Sequence, residues 1–153
     1  MAIGKSRLHK MLENGLTLSV SDAWIIAWDD ADFREWVLDL IREKQLFEKG
    51  EDKFGNIIGL YSEYTQMLNP EKVAGTHYTM KDTGYFFGSL FIDNWQGGQH
   101  VTIDGDGKKG DDDLFEKFGE GIIGINQENL SLVRQEIKKK FIKYVKETLF
   151  RNI

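Results

Sequence analysis

Residues 83–92 read Thr83-Gly84-Tyr85-Phe86-Phe87-Gly88-Ser89-Leu90-Phe91-Ile92, and this stretch decides the fold class. From Tyr85 onward it is rich in aromatic and branched apolar residues, which suit a pleated, half-buried surface, so 85–92 is predicted to be a β-strand. Gly97-Gly98 then offers a hairpin turn, and 99–103 returns with Val101 and Ile103 on one face. Helical spacing surrounds this hairpin on both sides. The expected class is therefore α+β, with N- and C-terminal helices packed on a small antiparallel sheet.

Working toward the N-terminus, Phe33, Val37, Leu40 and Ile41 form one apolar stripe, and Trp24, Ile25 and Trp28 form another. The acids Asp29, Asp30 and Asp32 lie between them, and Asp caps helices better than it continues them. One long helix or two stacked ones are predicted over 22–48, capped by Ser21 or Asp22 and closed by Gly50. Before it, 16–20 alternates as an extended piece, and 6–14 is a short amphipathic helix with Leu8, Met11 and Leu12 at i, i+3, i+4, ended by Gly15. Residues 1–20 are expected to form an N-terminal arm. Residues 50–78 hold the only proline, Pro70, and a Gly55-Asn56 turn signal. They read as an extended loop excursion anchored by Tyr61, Tyr64, Met67 and Leu68.

Toward the C-terminus, 105–112 is predicted to be a flexible loop, and 114–119 a short helix with Leu114, Phe115 and Phe118 inward. A tight linker over 121–125 leads to a final helix capped by Asn126, with Asn129 a second possible cap. Its residues Leu130, Val133, Ile137, Phe141, Tyr144, Val145 and Leu149 keep helical spacing, and the lysines take the other side. A chain of 153 residues suits one core, so 1–153 is expected to be a single domain.

Composition excludes much chemistry. Hydrophobic residues make up 41% and charged residues 29%, a globular balance that is too apolar for a disordered tail. With no cysteine, disulfides, thiolate catalysis and cysteine-bound metals are ruled out. The three histidines, His9, His77 and His100, read as surface or packing residues. No apolar run reaches the ~20 residues of a membrane span, and the first ten residues lack the apolar core of a secretion signal. There is no His-Glu-x-x-His, no glycine loop followed by Lys-Ser/Thr and no Gly-x-Ser-x-Gly, so no catalytic residue and no cofactor is expected. Thr102, Asp104, Asp106, Gly107 and Asp113 imitate a calcium loop poorly, because the first residue is not Asp and the last is not Glu. A metal site is therefore not expected. Trp95, beside the Gly-Gly turn, is the one tryptophan placed to form an exposed platform for a sugar.

Net charge is −5, and its distribution is uneven. Between residues 104 and 120, seven acids face three lysines; between 134 and 153, seven bases face two glutamates. An acidic loop and a basic helix can attract each other within one subunit or between neighbouring copies. Asp111, Asp112, Asp113 and Glu116 on one side, and Arg134, Lys138, Lys139 and Lys140 on the other, are the candidate interface. The basic helix could also meet phosphates. Its aromatics Phe141 and Tyr144 read as core, however, so specific nucleic-acid recognition is not expected.

Three segments carry a resemblance: Gln45–Thr65, with Ile-Gly-Leu-Tyr-Ser-Glu-Tyr-Thr at its end; His77–Leu90, His-Tyr-Thr-Met-Lys-Asp-Thr-Gly-Tyr-Phe-Phe-Gly-Ser-Leu; and Asp113–Leu130. Over roughly residues 40–150 the chain resembles small virion proteins encoded by phages and prophages of Bacteroidetes, including crAss-like phages. More remotely, the order of elements is similar to that of tail-completion, or head–tail joining, proteins of tailed phages. Here the shared motif is Asp82-Thr83-Gly84 running to Ser89, and the short helix ends at Phe118-Gly119. The 50–78 insertion is longer than in that remote pattern, and 121–125 replaces its proline-bearing linker. The resemblance implies a ring or connector subunit of the neck or tail. Its partners would be copies of itself and the portal or tail proteins. It would be made in the bacterial cytoplasm and reside in the virion, with no membrane partner and no enzymatic role. The alternative is a phage accessory protein that associates with nucleic acid through its basic C-terminal helix.

Overall fold

A computed structural model describes residues 6–95 and 100–153. The predicted Gly97-Gly98 turn lies outside them, as does the Trp95 side chain. The fold is α+β: seven α-helices, a π-helical and a 3-10 segment, and two separate two-stranded antiparallel sheets among the described residues.

Capping side chains set most helix starts. Ser6 accepts from the His9 N–H at 3.2 Å and opens α1, Arg7–Gly15. Ser19, not Ser21 or Asp22, opens α2, Val20–Asp29, by accepting from the Asp22 N–H. The expected extended piece at 16–20 is instead a turn closed by Thr17 N–H to Asn14 and Leu18 N–H to Gly15. Asp30 ends α2 and caps α3, Ala31–Asp39, through the N–H groups of Asp32 and Phe33. The acidic patch thus divides the helical region in two.

From Leu40 to Lys49 the chain winds as a π-helix. Its buried side chains, Leu40 and Ile41 then Gln45 and Leu46, recur five residues apart, matching i→i+5 hydrogen bonding. Gly50 closes the segment at φ +63°, a left-handed conformation that glycine adopts without a Cβ clash.

The 50–78 excursion is more ordered than an extended loop. It contains α4, Glu63–Leu68, and antiparallel bridges between Glu51 and Ile57 and between Leu60 and His77. Of the four expected anchors, only Tyr61 is half-buried; Tyr64, Met67 and Leu68 are 69%, 80% and 71% exposed. Their helix is too short to bury a face of its own.

The predicted strand 85–92 is split. Residues Tyr85–Ser89 form a short helix, α5, and only Phe91–Trp95 is strand, β1. Phe86 and Phe87 are both buried, which adjacent residues on a one-faced strand cannot be. Gly84, at φ +83°, turns the chain into that helix, and the Ser89 hydroxyl donates to the Phe86 carbonyl at 2.7 Å. β1 pairs with β2, His100–Asp104, placing Ile92 opposite Ile103, and Val101 and Ile103 share the inward face. The predicted flexible loop 105–112 holds a second hairpin, β3 Lys108–Lys109 and β4 Asp112–Asp113. Gly107 is buried there, with a Cβ at that position only 2.7 Å from the Phe115 ring.

Asp113 caps α6, Leu114–Phe118, a 3-10 turn Glu120–Ile123 follows, and Asn126 caps α7, Gln127–Leu149. Asn129 is not a second cap: it is buried and its side-chain amide donates to the Leu40 carbonyl at 3.0 Å. Phe141 lies at the exposed edge of α7, while Val133 and Thr148 are buried. One hydrophobic cluster joins Trp28, Phe33, Ile41 and Leu46 of the helices to Phe86, Phe87 and Ile92, and to Ile122 and Val133. No helix among the described residues is long and apolar enough to cross a membrane.

Candidate functional site

The segment after the excursion turns back across the β3–β4 hairpin. Between them opens a cleft of about 570 Å³. The Tyr61 and Tyr78 rings meet edge to face at 4.9 Å, and Tyr78 meets Phe118 at 5.5 Å, giving the cleft an aromatic wall. The Tyr61 hydroxyl fixes this wall by accepting from the Thr79 N–H at 3.1 Å. Tyr85 and Phe86 of α5 also line the cleft.

Charge is concentrated here. Lys72, Lys81, Lys108, Lys109 and Lys117 line the cleft with Asp82, Asp106 and Asp112. Asp82 bridges Lys109 at 2.8 Å and Lys72 at 3.3 Å. The Lys109 ammonium, followed by that of Lys72, holds the Asp82 carboxyl below the usual carboxylate range. Asp106 is likewise lowered, first by the Lys108 N–H and then by the Tyr85 hydroxyl, which donates to it at 2.8 Å. The same contact pushes the Tyr85 phenol up. Lys81 pairs with Glu43. Among the described residues Lys108 and Lys117 make no salt bridge; Lys117 lies 5.3 Å over the Phe118 ring.

The motif residues converge on this cleft. Asp82, Thr83, Gly84 and Phe118 line it, and so does Asp112 of the acidic set. Thr83 accepts from the Tyr85 N–H at 3.3 Å, starting α5. Ser89 accepts from the Asp106 N–H at 3.0 Å and so holds the second hairpin against α5. Gly119 ends α6 at φ +79°. Sequence reasoning did not single out Tyr78, Lys72, Lys108 or Lys117 as site residues. Only the adjacency of Lys108-Lys109 to acids hinted at them, because the partners come from separate loops.

The charged faces have mixed fates. Asp111, Asp112 and Glu116 are exposed, whereas Asp113 is committed to capping α6 through the N–H groups of Phe115 and Glu116. On α7, Arg134, Lys138 and Lys139 are exposed, and Lys139 pairs with Glu136 one turn away. Lys140 is engaged within the chain: it bridges Asp30 at 2.5 Å and lies 5.2 Å over the Phe33 ring. Lys140, ahead of the Phe33 N–H, lowers the Asp30 carboxyl. No salt bridge joins 104–120 to 134–151 among the described residues.

The calcium-like residues serve other ends. Asp104 accepts from the Gly105 N–H, Asp106 takes Lys108 and Tyr85, and Asp113 caps a helix. Among the described residues no three His, Asp or Glu side chains gather in a metal-binding arrangement. His77 packs its ring against Gly50, with Nε2 3.0 Å from the Phe47 carbonyl.

Comparison with known protein families, with characterised proteins and with solved structures returned no match.

Proposed function

We propose that this chain is a structural virion protein of a tailed bacteriophage, a ring or connector subunit of the neck or tail. The resemblance of 45–65, 77–90 and 113–130 to small phage virion proteins supplies the class. The observation that carries an assembly role is a group of uncovered apolar side chains near the N-terminus. Leu8 and Leu12 lie one turn apart on α1, Leu16 follows at its end and Val20 begins α2; they are 66%, 63%, 88% and 77% exposed. Uncovered apolar side chains of this size are costly in water, and they support a reading in which another chain covers them. Tyr64, Met67 and Leu68 of α4 form a second uncovered group.

Charge supports the same reading. The exposed acids Asp111, Asp112 and Glu116 and the exposed bases Arg134, Lys138 and Lys139 do not pair with each other inside the chain. Lys139 also pairs with Glu136 on its own helix, and the set remains exposed enough to pair between neighbours, as the head-to-tail contacts of a ring require. Lys140 is better assigned to the fold than to that interface.

Native mass spectrometry and electron microscopy test the proposal, on the protein alone and with portal and tail proteins of the same phage. A closed ring, or incorporation into a portal or tail complex, is expected. Leu8→Asp with Leu12→Asp should abolish it while leaving the thermal midpoint of the monomer nearly unchanged. A protein that stays monomeric with every structural partner, and shifts DNA in low-salt gels, would instead favour the accessory role of the basic helix.

A further inference from the structure

We infer that the cleft between the Tyr61–Tyr78–Phe118 wall and the β3–β4 hairpin binds a small ligand. That ligand has a flat ring at one end and a phosphate or carboxylate at the other. The inference is independent of ring assembly.

Size is the first argument. About 570 Å³ falls within the range of small-molecule sites, about 300–1,000 Å³. The second is the wall. Three half-buried aromatic rings in edge-to-face contact present a rigid apolar surface, and their geometry is fixed by the Tyr61–Thr79 hydrogen bond. A flat ring packing there buries apolar area with little loss of side-chain freedom.

The third argument is charge. Five lysines against three aspartates line the cleft, although the whole chain is net −5. A locally positive concavity in an acidic protein draws anions toward it. Lys72 and Lys109 are occupied by Asp82, so they build the floor. Among the described residues neither Lys108 nor Lys117 makes a salt bridge; the Lys108 ammonium acts on Asp106 only through space, and Lys117 sits beside the aromatic wall at Phe118. They are the cations left to meet the anionic end. A neutral aromatic would leave Lys117 without a counter-charge, and a simple anion would leave the wall uncovered. A ligand combining the two satisfies both.

Adenosine monophosphate and phenylacetate are suitable probes, one for each anion source, with adenosine and inorganic phosphate as half-ligands. Titrated into the full chain and followed by amide NMR, at least one probe should bind with a dissociation constant on the order of 1 mM or tighter. Shift changes should fall on Tyr61, Tyr78, Lys117 and Phe118. A response to adenosine monophosphate identifies the phosphate source, and a response to phenylacetate the carboxylate. Lys108→Ala with Lys117→Ala removes two exposed charges and should weaken binding about tenfold. Asp112→Asn removes a repelling carboxylate and should strengthen it about threefold. Circular dichroism confirms that both variants fold. Silence from both probes at about 10 mM would overturn the inference. So would adenosine binding as tightly as its monophosphate, or a double-lysine variant with undiminished affinity.

Discussion

Replacing Gln45 with leucine should lower the unfolding free energy by about 3 kcal/mol, because one side chain satisfies two backbone groups in the core. Gln45 is fully buried in the π-helix. Its Nε2 donates to the Gly124 carbonyl at 2.7 Å, and its Oε1 accepts from the Asn126 N–H at 2.7 Å. Those contacts tie the π-helix to the turn that launches α7. Leucine has a similar volume, so packing changes little. What it removes is a partner for one C=O and one N–H, each costing about 1–3 kcal/mol when buried and unsatisfied. Shedding the desolvation cost of the carboxamide offsets part of this. In a domain of this size, 3 kcal/mol corresponds to a thermal midpoint about 6–12 °C lower. Urea unfolding should show a lower midpoint with an unchanged slope. Gln45→Glu provides a second arm. At neutral pH it keeps the acceptor but sets a carboxylate against the Gly124 carbonyl, so it should be worse than leucine. Protonation restores a donor, so its deficit should shrink on acidification. A leucine variant within about 0.5 kcal/mol of the parent would refute the reasoning, since that is the range of ordinary surface changes.

Gly50→Ala places a Cβ 2.5 Å from His77 Cδ2 at φ +63°, and should cost about 2 kcal/mol or more in denaturant unfolding. Gly55→Ala, at φ +80° with open space around it, should show only the backbone part of that loss. Asp30 and Asp82 are held below the usual carboxylate value of about 4, so the stability they add is complete above that pH and is lost as pH falls through their folded values. Both are more than a third exposed, so the joint effect is under about 1 kcal/mol; Asp30→Asn with Asp82→Asn should flatten acid unfolding curves below about pH 4. Lys140→Glu should destabilise the monomer in thermal melts by setting a carboxylate against Asp30, whereas Lys138→Glu with Lys139→Glu should leave the melt nearly unmoved and impair only assembly.

Local chemistry was readable from the chain alone. Asp30 and Asn126 act as caps where capping preferences put helix starts, Ser6 and Asp113 cap helices whose starts alone were legible, and Val101 with Ile103 keep strand alternation. Ser19 was missed in favour of Ser21 because several acceptors lie within four residues, and docking on α7 selects among them. The 85–89 helix was missed because an apolar run suits a buried strand and a buried helix equally, and only the burial of both Phe86 and Phe87 separates them. The cleft was opaque for another reason. Lys72 and Asp82 come from two separate loops and Lys109 from β3, and no spacing rule predicts that two lysines so far apart in the chain will meet one carboxylate.

The wide winding from Leu40 to Lys49 bears on the order in which the chain folds. Extended runs of this geometry are rare, because ordinary α winding is intrinsically favoured, so the surrounding core must impose it. The segment therefore cannot template its neighbours early in folding. A nascent chain that has emerged only as far as residue 50 lacks Phe86, Ile122 and Val133, and in it these ten residues would still wind as α-helix or coil. Their final pitch is expected to form only when the C-terminal half arrives, and low φ-values for Ile41→Val and Leu46→Ala in folding kinetics would check it.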